Sequence, residues 1–298
     1  MDTKEFLYLQ QNATTNFLAR FSTKNKKEEF KENDNIFTAT YGSTELTISY
    51  DLDKYDEVPD FYVSCQKLQR IIMCLFTAQG FTSNIITVAA NDIFDLQGIA
   101  NNNRNKSTIR NDLKKLQDTR VDFTEKRKIG KSFKHIEGSF NIISGWSWSH
   151  DGYLRIEIPQ MLINTLKEYG GLIQYPISNF KLNNKKLVEF AINDRIAERL
   201  GSRDIVSIST LKLYECALAA GMKSYEYFSN KKIKTGFYVG IVRPIEEALN
   251  AGSFYKWKYR EKEEHSTFNA WLIDYVEISR NEEINNEEGR DEKNGNND

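Results

Sequence analysis

Cysteine is scarce in this chain: Cys65, Cys74 and Cys216 form an odd set without C-x-x-C spacing, two of them inside apolar segments. That pattern excludes a disulfide framework and a zinc knuckle and predicts buried, reduced thiols. Histidine is as thin. His135, His150 and His265 lie far apart, so HExxH and the His-x-His pair that a metal-assisted DNA-nicking enzyme uses are both missing. No G-x-x-x-x-G-K-S/T stretch is present, which excludes an ATPase of the P-loop type. The longest apolar runs, such as Ile71 to Phe76, fall short of the roughly 20 residues of a membrane span. MDTKEFLYLQQNATTNF lacks a basic region followed by an apolar run and a cleavage site, which predicts a cytoplasmic protein without a secretion signal. The 15 tyrosines have no metal site to serve and read as packing and surface aromatics. Glu246-Glu247 and Glu263-Glu264 read as solvated charge. The expectation is a protein that is not an enzyme, with no catalytic residue, no cofactor and no metal.

The formal net charge of −1 averages over unlike segments. Residues 281–298 hold seven acids and two bases, so the rest carries 39 bases against 35 acids. Residues 101–134 alone contain eleven Lys/Arg and four Asp/Glu. Local excess governs phosphate attraction, because distant charges are screened over roughly 10 Å.

Residues 1–59 read as an N-terminal arm with two short strands in IFTATYGSTELTISY. From Ser64 to Ala78, Leu68, Ile71, Ile72, Leu75 and Phe76 follow helical spacing with one buried stripe. NIITVAA reads as a strand, Asn91 as the cap of a helix carrying Ile93, Leu96 and Ile99, and NNNRNK as a turn. Ser107 or Asn105 then caps STIRNDLKKLQD, with Ile109, Leu113 and Leu116 inward. VDFTEKRKIGKSFKHIEGSFNIIS and DGYLRIEIP alternate and predict one three-stranded antiparallel sheet. A helix from Pro159 ends at Gly170-Gly171, which open a linker toward Pro176. The rest repeats the plan: a helix in KKLVEFAINDRIAERLG, a strand in IVSIS, a helix capped by Ser209 or Thr210, a helix around Ile241, Ile245 and Leu249, and a hairpin with REKEEHS at its tip. Pro244 either kinks that last helix or begins it. The fold class read from this order is α+β, two tandem winged-helix domains (60–172 and 173–280) with the arm before them and a disordered acidic tail, 281–298, after them.

A helix after a turn in this arrangement enters the major groove and presents residues near its N-terminus to base edges. The outward positions are Thr108, Arg110, Asn111, Lys114 and Lys115, with Arg104 and Lys106 in the turn before. Arg suits guanine and Asn adenine, while Ser107 and Thr108 sit where phosphates meet free backbone N–H groups. A solvated helix face is the competing reading. The basic hairpin weighs against it: Lys126, Arg127, Lys128, Lys131 and Lys134 cluster around one turn, and a basic tip beside a basic helix fits the phosphate backbone of double-stranded DNA. In the second module Lys231, Lys232 and Lys234 lie before Tyr238 and Arg243, and Lys256, Lys258 and Arg260 follow. Glu246 and Glu247 take the places of Lys114 and Lys115, so deep contact suits this helix less. An interface with another protein is the open alternative there.

From about Phe61 to Ser279 the chain resembles the initiator (Rep) proteins of iteron-containing plasmids, which pair two winged-helix domains. The likeness rests on SCQKLQRIIMCLF before a strand, STIRNDLKKLQDTRVDF leading into a wing, and RPIEEALNAGSFYKWKY with WLIDYVEIS. It implies binding to repeated origin sequences, help in duplex opening, recruitment of host replication proteins, and a monomer–dimer equilibrium in which dimers repress their own gene. Family members commonly dimerise through the first domain and read repeats with the second. Here the first module is the more basic, a departure from that division. A plasmid- or phage-borne transcriptional regulator that never initiates replication, and a protein-interaction scaffold, remain the alternatives.

Overall fold

The computed structural model describes residues 6–11, 15, 16, 18, 36–41, 44–50, 62–129, 132–201, 203–230, 236–261 and 265–281. They belong to two compact units, residues 1–187 with 219–221 and residues 188–218 with 222–298. Both mix helix and strand. The charged run at 24–35, Lys131, Lys231, Lys232, Lys234 and the acidic tail from 282 onward lie outside the described residues.

The first unit runs β1 (Phe6–Gln11), β2 (Ile36–Tyr41), β3 (Thr44–Tyr50), α1 (Val63–Ala78), β4 (Ile85–Ala89), α2 (Ala90–Gln97), α3 (Asn103–Asp118), β5 (Thr119–Ile129), β6 (Ser132–Asn141), β7 (Gly145–Trp148), β8 (Tyr153–Glu157), α4 (Gln160–Tyr169) and β9 (Gly171–Pro176), then a 3-10 turn, Ile177–Lys181. Three antiparallel sheets result, in the orders β1-β9, β2-β3-β5-β6 and β4-β8-β7.

That arrangement corrects the expected three-stranded sheet. The basic hairpin β5–β6 joins β2 and β3, while β8 pairs with β4 and with β7, a short strand in GWSW that lies outside the alternating segments. Alternation marks which faces are apolar but not which strands meet. Leu46 and Ile48 of β3 stand opposite Phe123 and Val121 of β5, and all four are buried, so the segments around residue 45 cover the apolar face of the hairpin. Residues 1–59 therefore contribute the two expected short strands and a third, β1, to this unit.

The helix α1 is buried nearly all round rather than along one stripe. Gln66, Lys67, Gln69 and Arg70 are buried with the apolar set. Gln10 N donates to Thr77 Oγ1 at 2.9 Å, which fixes β1 to the end of the helix. Arg70 donates to Asn16 Oδ1 at 3.1 Å and lies 5.7 Å from the Tyr175 ring centre in β9. Lys67 Nζ donates to the Leu182 carbonyl and, at 2.7 Å, to Asn184 Oδ1. Two bases of the sequence are thus consumed in the core, hydrogen-bonded there to amide and carbonyl oxygens. Gly170-Gly171 open no linker, since Gly171 begins β9.

The second unit runs α5 (Leu187–Leu200), β10 (Ile205–Ser209), α6 (Thr210–Ala219), α7 (Tyr225–Asn230), a π-helical turn at Tyr238–Val242 that leads directly into α8 (Arg243–Asn250), β11 (Tyr255–Tyr259), α9 (Phe268–Leu272) and β12 (Tyr275–Arg280). Its sheet order is β10-β12-β11. This repeats the β4-β8-β7 order in the first unit: within each of these sheets, the first strand in the chain pairs with the last, and the last with the one before it. The hairpin tip at residues 260–274 is more than a charged turn, since it holds α9.

Pro244 stands in the first turn of α8, where a proline's missing donor is tolerated, so the helix begins there as the second reading has it, but a π-helical turn rather than a loop precedes it. Both Val242 and Arg243 have helical dihedrals, and the Arg243 N–H reaches back five residues to the Tyr238 carbonyl. In that register the next donor, to the Val239 carbonyl, would be residue 244, and proline has none. The described cysteines, all three, are buried and free. No helix among the described residues is long and apolar enough to cross a membrane.

Candidate nucleic-acid interface

The turn before α3 is rigid by construction. Gly98 ends α2 in the left-handed region at φ 64°, with its N–H on the Asp95 carbonyl at 3.1 Å and that of Ile99 on the Phe94 carbonyl at 3.0 Å. Only glycine adopts this conformation without steric cost. Asn102, not Ser107 or Asn105, caps α3: its side-chain oxygen accepts from Asn105 N at 2.9 Å and its carbonyl from Lys106 N at 2.9 Å. Asn105 Nδ2 donates to the Ala100 carbonyl at 2.7 Å. The helix begins one turn earlier than the apolar periodicity implies. Ser107 and Thr108 consequently lie inside it, away from the unpaired N–H groups, and the Thr108 hydroxyl donates to the Arg104 carbonyl at 3.2 Å. Asn91 does not cap α2, which begins at Ala90 with the Ala90 N–H on the Gly152 carbonyl at 2.9 Å.

Four exposed residues of α3 form a stripe, Arg104, Ser107, Asn111 and Lys114, spaced three and four apart. Arg110, also exposed, flanks it, with its guanidinium carbon 5.0 Å from the Trp148 ring centre. Trp148 in turn packs near Phe94 of α2, centroid to centroid 6.4 Å. Lys106 and Arg110 on α3, Asn91 and Asn101 from the preceding elements, and Trp148 to Tyr153 of the β7–β8 hairpin border a groove of about 500 Å³. The hairpin beside the N-terminal half of α3 is therefore β7–β8, whose tip Ser149-His150-Asp151-Gly152 carries no Lys or Arg. The basic turn expected there belongs to the other sheet: Lys126, Arg127 and Lys128 occupy the distal part of β5, opposite His135, Lys134 and Phe133 of β6. Trp148 carries no signal in the sequence, because a four-residue strand is too short to show a period.

Lys115 is turned away from the stripe. It sits 3.8 Å from Asp112 Oδ1 and 5.5 Å from the Tyr62 ring centre, 20% exposed. Asp112 faces the interior, where desolvation pushes its carboxyl up to about 6, against the opposing pull of the Ser64 hydroxyl and Lys115.

In the second unit the expected cations are largely engaged. Arg243 Nε bonds Glu247 Oε1 at 3.0 Å, and Lys258 pairs with Glu277 at 3.2 Å. The guanidinium of Arg260 lies 5.9 Å from the Tyr275 ring centre. Glu246 accepts from Tyr238 at 3.3 Å and from Tyr259 at 2.9 Å. Trp257 and Tyr259 reach α8 from one face of β11, so Lys256, Lys258 and Arg260 alternate onto the opposite face. They do not share a surface with Arg243. The hairpin is locked at its base: Trp271 donates to Tyr259 Oη at 3.0 Å, and His265 Nε2 lies 2.7 Å from Asp274 Oδ2. Burial and the adjoining acids Glu246 and Asp274 push the Tyr259 hydroxyl well up, so it remains a neutral donor.

No protein-family model matches this chain, and no curated protein does. Two solved structures of RctB are similar to it. A selenomethionine form of RctB domains 2 and 3 shares 14% identity over 82% of this chain and 90% of that one, at a TM-score of 0.44. Another structure of RctB domains 2–3 shares 11% identity over 83% of this chain and 91% of that one, at a TM-score of 0.45. At these values no residue's role transfers from them.

Proposed function

We propose that each unit is a winged-helix module and that the chain binds double-stranded DNA by sequence, acting as a replication initiator at repeated origin sites, with autoregulation as a dimer and recruitment of host replication proteins. It does so as a binding protein in the cytoplasm, without a catalytic centre. The observation that carries the DNA reading is the exposed stripe Arg104, Ser107, Asn111 and Lys114 on a capped helix, with Arg110 held against Trp148 at the edge of an open groove. Winged-helix modules are supported by the helix–strand–helix start and by the sheet order that the two units share, β4-β8-β7 in one and β10-β12-β11 in the other. The replication role rests on the sequence resemblance to iteron-plasmid initiators.

In this reading Arg104 and Lys106 meet phosphates near the start of α3, while Arg110 and Asn111 offer bidentate donors to guanine and adenine. Selection of bound sites from random duplex DNA by the full chain tests it. The expected product is a defined short site that recurs as direct repeats beside the gene. A single palindrome at a divergent promoter would point to a regulator instead, and no enrichment would remove the DNA reading. Arg110→Ala should cost about 1–3 kcal/mol on that site and relax one base position.

A further inference from the structure

On the proposed reading of the second unit as a DNA-binding module, we infer that the π-helical turn before α8 reads thymine through Val239, by apolar contact with the C5-methyl group in the major groove. Val239 is 52% exposed and Tyr238 47%, adjacent residues in the π-helical turn that precedes α8. The π turn is not free to rotate them inward. Pro244 removes the N–H that an α-helical register would use, and behind the turn Gly240 is pressed on Phe228, where a Cβ would stand 2.4 Å from the ring. Ile241 and Val242 are buried on the inner side.

Setting Ile245 against Leu113 places Val239 and Arg243 where Ser107 and Asn111 stand on the exposed stripe of α3. The polar groups at this surface are already engaged within the unit: the Tyr238 hydroxyl by Glu246 and the Arg243 guanidinium by Glu247. What the turn presents outward is a branched aliphatic side chain. In the major groove the thymine methyl is the base-edge group that an apolar side chain recognises, and only A·T pairs present it. A protein partner fits less well, since a stable interface takes about 800 Å² from each side and this patch is two half-exposed residues flanked by charge. The acids at Glu246 and Glu247 leave the C-terminal half of the helix unsuited to phosphates. Base contact is thereby confined to the π-helical turn before it.

The test uses the full chain and the duplex it selects from random DNA. Each thymine of that duplex is replaced in turn by deoxyuridine, which lacks only the methyl group, and binding is measured for the natural chain and for Val239→Ala. Val239 is exposed and stands outside the buried core, so this variant folds as the parent does, which circular dichroism checks. At one thymine the natural chain should weaken about fourfold in affinity, the worth of one buried methyl group, and the variant should change little or not at all there. Equal uracil sensitivity of the two proteins at every position overturns the inference while leaving the DNA reading intact. Failure to enrich any duplex overturns the DNA reading itself, and the thymine contact with it.

Discussion

Asp112 is a carboxyl at the boundary between core and surface of α3, 4% exposed, with its acidity constant moved to about 6 from an ordinary value of 3.8. A carboxyl raised in the folded state binds its proton more tightly there than in the unfolded chain. Its ionisation therefore opposes folding: stability is highest below about pH 4 on this account, declines as pH rises through about 6, and carries the full cost at pH 7 and above. Asp112→Asn should remove that cost. In urea unfolding at pH 7.5 the variant should gain up to about 2 kcal/mol over the parent, and the difference should vanish near pH 4. A gain independent of pH would place the cause elsewhere. Residues of this kind are hidden in the sequence, where Asp112 reads as one charge among many on a basic helix. Arg110 and Asn111 are legible as outward residues, because their spacing against Ile109, Leu113 and Leu116 assigns them the polar face. Their partners are not, since the Trp148 contact joins segments 38 residues apart.

At the scale of elements, helices and strands lie largely where periodicity puts them, and their partners do not. Strict alternation in β5, β6 and β8 is satisfied by any neighbour that covers the apolar side, so pairing is decided by the apolar face of β3 and by the short β7. The start of α3 is ambiguous in the sequence because Asn101, Asn102, Asn103, Asn105 and Ser107 are all cap formers. Only the turn fixed by Gly98 selects Asn102. Pro244 marks the other informative departure. Replacing it by alanine restores a backbone donor where the π-helical turn meets α8, and the turn above it can tighten to the α register. Pro244→Ala should raise the unfolding free energy by about 1 kcal/mol, the worth of one regained backbone hydrogen bond, and should weaken DNA binding by turning Val239 from its outward position. Thermal unfolding and titration with the selected duplex check the pair of effects. A more stable protein with unchanged binding would detach the π turn from recognition.

Across the whole chain, charge is distributed by unit rather than averaged. Exposed cations gather on α3 and the sequence concentrates others along the β5–β6 hairpin, whereas the second unit neutralises Arg243 and Lys258 with its own acids. Neutralising Lys126, Arg127 and Lys128 together should weaken binding to all sequences alike and flatten the dependence on salt by about 0.9 in log–log slope for each phosphate that the hairpin no longer neutralises. A slope equal to that of the parent would take the hairpin out of the interface. The pairing of β1 with β9 has a consequence in time as well as in space. Gln11 and Gly171, cross-strand partners, are about 160 residues apart in the chain. At roughly 5–20 residues per second, a ribosome releases β9 on the order of ten seconds after β1. Throughout that interval Leu9, fully buried in the finished unit, has no strand beside it, and Arg70 of α1 lacks the Tyr175 ring. The unit is thus closed by its earliest and latest strands, and during synthesis it is nearly complete before it is sealed.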